Sequence, residues 1–101
     1  MPLPVQDHRV SLQEAAALTK RYRDARADQE KAGAFRKDQV VQMLGQPGCE
    51  GLRIYHGISG EGKPAFVLVG IDGDGKDLTG SILERHEPCP PYCDATSVLG
   101  A

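Results

Sequence analysis

The chain has no tryptophan and only five other aromatic residues, three tyrosines and two phenylalanines. A core built around large rings is therefore excluded, and aliphatic side chains must supply the packing. No apolar run is long enough to span a bilayer, and the opening Met1-Pro2-Leu3-Pro4-Val5-Gln6-Asp7 has neither a basic leader nor a continuous apolar stretch. A cytoplasmic location, with no membrane contact, is the expectation. The sequence also lacks a dominant sign of charge: 12 basic and 14 acidic residues leave a formal net charge of −2. No overall field draws such a chain to nucleic acid or to an anionic surface. Nor is any catalytic signature recognisable, so a non-enzymatic role is expected. Cysteine is scarce and odd in number, three in all, so intramolecular disulfides alone cannot use every thiol.

What is present fits one domain covering residues 1–101, with 1–10 and 94–101 as loosely ordered tails. A hydrophobic content of 40% beside 26% charged residues is that of a globular chain. The clearest local signal is Ser11-Leu12-Gln13-Glu14, a capping box that starts a helix at Leu12. Leu12, Ala15, Leu18, Tyr22 and Ala25 then recur at helical spacing, and the helix should end before Gly33. The basic cluster Lys20-Arg21-Tyr22-Arg23 has Asp24, Asp28 and Glu30 close behind it, which reads as a solvated, charge-balanced face. A second helix is expected over Lys37–Leu44, with Val40, Val41 and Leu44 on one side, Asp38 in its first turn and Gly45 to end it.

Beyond Gly48-Cys49-Glu50-Gly51 the period changes to alternation. Leu52, Ile54, His56 and Ile58 point one way and Arg53 and Tyr55 the other, as in a half-buried strand. Ala65-Phe66-Val67-Leu68-Val69-Gly70-Ile71 is unbroken and apolar, which reads as a central strand buried on both faces. Asp72-Gly73-Asp74-Gly75 reverses the chain, and a more polar strand is expected around Ser81–His86. The fold class is thus α+β, two N-terminal helices packed on a three-stranded antiparallel β-meander. Two helices can shield one face only. The other face requires the C-terminal segment or another copy of the protein, and a homodimer, or failing that another protein partner, is the favoured expectation.

Gln46-Pro47-Gly48-Cys49-Glu50-Gly51-Leu52-Arg53-Ile54-Tyr55, the Val67–Asp72 run and Cys89-Pro90-Pro91-Tyr92-Cys93 together resemble a group of small uncharacterised bacterial proteins of about this length. The resemblance extends from the Ser11 helix start to the cysteine cluster. It implies no activity, cofactor or partner.

The distinctive chemistry lies in the cysteines. A polyproline II path at roughly 3.1 Å per residue would set the α-carbons of Cys89 and Cys93 about 12 Å apart, too far for a bridge. A turn at Pro91-Tyr92 with a cis proline would bring both sulfurs to one side. Such a pair suits zinc, with Cys49 as a third thiolate and His86, three residues before Cys89, or His56 as the fourth ligand. Two structural readings outweigh that site: a Cys89–Cys93 disulfide fastening the C-terminal segment, or three cysteines packed as small apolar residues. A thioredoxin-like motif would place two residues between its cysteines at a helix start, and neither condition is met.

The remaining motifs have plainer readings. Asp72–Asp77 has Lys76 and Asp77 where a calcium loop needs an oxygen ligand and a glycine, so it reads as a hairpin turn. Gly57–Gly62 leads into a strand rather than the helix a phosphate loop requires. His8 defaults to the surface, and Tyr55 and Tyr92 to core or rim packing. The functional expectation is a small binding or assembly domain with a structural cysteine cluster that has the residues for zinc. The alternative is a thiol-dependent redox or metal-handling protein that uses Cys89 and Cys93.

Overall fold

The structure is a computed structural model, and residues 1–100 are described. In chain order it contains α1 (Leu12–Ala25), β1 (Ala32–Ala34), α2 (Lys37–Leu44), β2 (Cys49–Ile58), β3 (Pro64–Asp72), β4 (Asp77–Leu83) and β5 (Glu87–Cys89). These form two compact units. The first joins Met1–Val5 to Phe35–His86, and the second joins Gln6–Ala34 to the chain from Glu87 onward. The class is α+β, with the expected antiparallel meander in the order β2-β3-β4 and a second, two-stranded sheet of β1 and β5.

Within the first unit, β3 is the axis. Ala65, Leu68, Val69 and Ile71 are all buried, as a strand apolar in both directions requires. Adjacent residues point to opposite faces, so registers assign the cover. Leu68 and Gly70 share a face with Leu52, Ile54 and His56 of β2 and with Leu83 and Leu78 of β4. Helix α2 covers the Gly70 end. Its fully buried Met43 is the anchor, and the absence of a side chain at Gly70 admits it: a Cβ there would lie 2.9 Å from Cys49 Sγ and 3.6 Å from the Met43 carbonyl. At the Phe66 end of this face the rings of Phe66 and His86 meet edge to face at 5.1 Å, with Phe35 and His56 each one ring further out at 6.4 Å.

The opposite face carries Val69 and Ile71. It is covered from within the chain. Gly51 pairs with Ile71, and Leu3 reaches to 3.5 Å of the point where a Gly51 Cβ would stand. Arg53 and Asp77 cross β3 on this side and are joined by an ion pair. Within this unit the cover of the second face is thus the N-terminal five residues and a polar bridge.

Two expectations need correction, and one feature of the sheet is new. Only α2 lies on the meander within this unit, while α1 belongs to the second unit and is separated from α2 in sequence by β1. The last meander strand begins at Asp77 rather than near Ser81, because the turn is tight. Asp72 Oδ1 accepts from the amides of Asp74 and Lys76, each at 2.9 Å, and Gly75 takes the left-handed φ of 81° that the reversal needs. These bonds, the Lys76 amide first, hold the Asp72 carboxyl below its usual range. Finally, β4 is interrupted: Gly70 and Val69 are consecutive on β3, yet their partners are Leu78 and Ile82, so a wide bulge breaks the strand.

In the second unit, α1 begins as the capping motif requires, Ser11 Oγ accepting from the Glu14 amide at 3.0 Å. Lys20 pairs with Asp24 at 2.7 Å one turn on, the expected solvated ion pair. The helix face in use differs from the apolar stripe: Ala15, Ala16, Thr19 and Arg23 are half-buried, whereas Leu12, Leu18 and Tyr22 are exposed.

Replacing Gly70 with alanine tests the seat of α2. The variant is expected to lose about 1–3 kcal/mol in urea unfolding, with part recovered when Cys49→Ala removes the nearest atom. An unchanged midpoint would show that the helix does not approach β3 at Gly70.

Candidate functional site

Two features of the surface are built rather than incidental. The first is the outer edge of β2. This strand is ten residues long, lies at the end of the sheet order and is paired only with β3. Its even-numbered side chains do share one face, but they are not buried there: Leu52 is 38%, Ile54 53% and Ile58 80% exposed. Helix α2 is eight residues long, and although it touches all three strands it leaves these side chains largely exposed.

The odd-numbered side chains hold the strand in place. Arg53 Nη1 donates to Asp77 Oδ1 and, at 3.1 Å, to the Gly75 carbonyl, while the Tyr55 hydroxyl donates to Asp77 Oδ2. Asp77 is therefore a two-armed acceptor that binds β4 to β2 across the central strand. The Tyr55 hydrogen bond, followed by that of Arg53, holds the Asp77 carboxyl below its usual range against the partial loss of water around it. The same carboxylate pushes the Tyr55 phenol up.

The second feature is the cysteine loop of the second unit. Strand β5 pairs with β1 in the register Ala32 to Cys89, Gly33 to Pro88 and Ala34 to Glu87, and the Lys31 amide donates to the Cys89 carbonyl at 2.8 Å. Both the Cys89–Pro90 and Pro90–Pro91 bonds are cis. The loop closes with the Tyr92 amide on the Pro88 carbonyl and the Cys93 amide on the Pro91 carbonyl, each 2.9 Å. The two α-carbons stand 4.9 Å apart and a disulfide joins the side chains. Of the readings open at the sequence level, the Cys89–Cys93 disulfide is the one present.

Residues beyond Cys93 are tied back. Asp94 Oδ1 accepts from both the amide and the hydroxyl of Thr96, which holds the Asp94 carboxyl below its usual range. Arg23 donates to the Leu99 carbonyl, and Lys31 Nζ donates to the Gly100 carbonyl at 2.6 Å. Between these segments lies a cleft of about 300 Å³, walled by β1, Tyr92, Leu99 and the disulfide itself.

The proposed zinc ligands are not assembled. Cys89 and Cys93 are bonded to each other. Cys49 is a free thiol at the start of β2, donating to the Gly51 carbonyl at 3.3 Å. His86 and His56 belong to the ring cluster around Phe66. Among the described residues no group of three or more His, Cys, Asp or Glu side chains is placed to hold a metal ion. His8 is on the surface, beside Gln6 at 3.0 Å. No described helix is long and apolar enough to cross a membrane.

Sequence reasoning did not single out Asp77, Arg23 or Lys31. Each acts on a partner 24 to 76 positions away, so only the strand register or the return of the C-terminal segment identifies it. Comparison with protein-family models, with curated proteins and with solved structures finds no match to this chain.

The polar bridge predicts a specific acid response. Because the folded state depresses the Asp77 pKa, the stabilisation is complete above the ordinary aspartate value and is lost as pH falls through the folded one, below about pH 4. Thermal unfolding of wild type and Asp77→Asn between neutral pH and about pH 3 should therefore converge on acidification. A gap of constant size would mean that Asp77 contributes nothing through its charge.

Proposed function

We propose that the protein is a non-enzymatic assembly module that forms a homodimer by antiparallel pairing of β2 with β2 of a second copy. The observation that carries this reading is the combination on one strand of a free hydrogen-bonding edge and an exposed apolar row, Leu52, Ile54 and Ile58. Unpaired edges of this length are templates for strand addition, and monomeric proteins commonly blunt them with charge or proline. Strand β2 carries no proline, and its only basic side chain, Arg53, is engaged with Asp77 across the sheet.

A second copy is favoured as occupant because the row is complementary to itself. In a two-fold pairing centred on Tyr55, Leu52 of one copy stands opposite Ile58 of the other and Ile54 opposite His56. Arg53 faces Gly57, so no like charges meet. Even-numbered residues pair with even-numbered residues, which merges the two apolar rows into one surface on a continuous six-stranded sheet. The Arg53–Asp77–Tyr55 bridge supports this role by tying β2 to β4 before a partner arrives, which lowers the ordering cost of association. In this reading the disulfide-closed loop contributes no residue to the paired strand.

Pairing of one strand edge buries little surface, and a dissociation constant in roughly the micromolar range is expected. Light scattering or sedimentation of the full chain should show mass rising from monomer to dimer with concentration. Ile54→Lys, at an exposed position where folding is not at stake, should remain monomeric throughout. A wild-type protein that stays monomeric at about 300 µM, well above that range, would overturn the proposal.

A further inference from the structure

We infer that the Cys89–Cys93 disulfide is a thiol–disulfide exchange site, in which Cys93 is the sulfur attacked by an incoming dithiol and Cys89 is the leaving thiolate. This stands independently of the strand-edge dimer, since it concerns other residues and another unit.

The two halves of the bond differ in accessibility. Cys89 is 5% exposed and fixed in β5, with its carbonyl bonded to Lys31 and its α-carbon opposite Ala32. Cys93 is exposed and follows the loop. Attack at a disulfide goes to the sulfur an external thiolate can reach. Here that approach exists, because both cysteines line the cleft of about 300 Å³, which is open to solvent and wide enough for a cysteine side chain or the end of a small dithiol.

The departing group is also provided for. Burial disfavours a thiolate at Cys89, but Lys31 lines the same cleft, and a cationic neighbour stabilises a thiolate. Its ammonium also donates to the Gly100 carbonyl at 2.6 Å. Re-formation is favoured by proximity, since the cysteines are four positions apart in sequence and Cys89 is paired with Ala32 in the β1–β5 sheet.

The exchange balances as follows. One thiolate of the dithiol attacks Cys93 Sγ, a new S–S bond forms there, and the Cys89–Cys93 bond breaks with its electron pair passing to Cys89 Sγ, which takes a proton. The second thiolate of the dithiol then attacks the reductant's own sulfur in the mixed disulfide and releases Cys93, which takes the other proton. Two electrons have moved: the dithiol has become a disulfide and the protein carries two thiols. Because residues beyond Cys93 wall the cleft, reduction frees one wall from its covalent tie to β5.

The test traps the first step. The oxidised full-length protein is incubated with glutathione at neutral pH without denaturant, quenched in acid, alkylated and mapped by mass spectrometry, with circular dichroism recorded to show that it stays folded. Glutathione on Cys93 with the alkyl group on Cys89 is expected, in at least about tenfold excess over the reverse. Lys31→Gln should slow adduct formation several-fold under conditions in which circular dichroism shows the fold retained, and more than Arg23→Gln, which removes the other carbonyl tie but no cation from the cleft. Three results would overturn the inference: adduct divided evenly, adduct mainly on Cys89, or a disulfide that opens only after the chain is unfolded.

Discussion

Strand β3 carries apolar side chains in both directions, and both directions must be kept dry by parts of the chain that arrive from elsewhere in sequence. On one side the requirement is met by helix packing, with Met43 seated where Gly70 has no side chain. On the other it is met by Leu3 and by a polar bridge whose two ends lie on the flanking strands. A charged bridge over an aliphatic surface is an unusual cover, and it holds because neither ion is deeply buried: both keep part of their water, so the cost of desolvation stays small. The bridge also ties β2 and β4 together across the central strand.

The same economy governs the second unit, whose sheet has two strands of three residues each. Such a sheet is marginal by itself. Here a covalent bond, the two carbonyl contacts made by Arg23 and Lys31, and the capped start of α1 replace a core that the unit does not have. Cross-links take over where buried area is too small.

The parts of this architecture legible in the sequence were those written in local patterns. The capping serine, the span of α2, the unbroken apolar run of β3 and the glycine turn after it each follow from residues within a few positions of one another. Non-local parts were not legible. Strands β1 and β5 are too short to show alternation, and Ala32-Gly33-Ala34 has no strand preference of its own; pairing with the segment around Cys89 makes it a strand. The apolar alternation of β2 was read correctly as a shared face, but alternation does not say how much of that face a helix covers. Leu12, Leu18 and Tyr22 misdirected the reading of α1 for a related reason: a helix in a unit with little core can turn its small residues inward and leave the large ones out. The Cys89–Cys93 disulfide was among the readings open for the cysteines, but spacing alone could not separate it from ligation with Cys49 and His86.

The bulge in β4 sets a limit on how far such a sheet can grow. Its two borders are unlike: β2 pairs in regular register from Gly51 to Ile58, after a bulge at Glu50, whereas the pairing of β4 jumps from Leu78 to Ile82. A strand docking along β4 would lose its ladder at that jump and find Gly80 without a side chain to pack on. Polymerisation through sheet edges needs two usable borders per subunit, one for each neighbour. A molecule with one intact border and one broken border ends the chain at the first encounter, so the geometry that invites a companion also denies the series that leads to fibres.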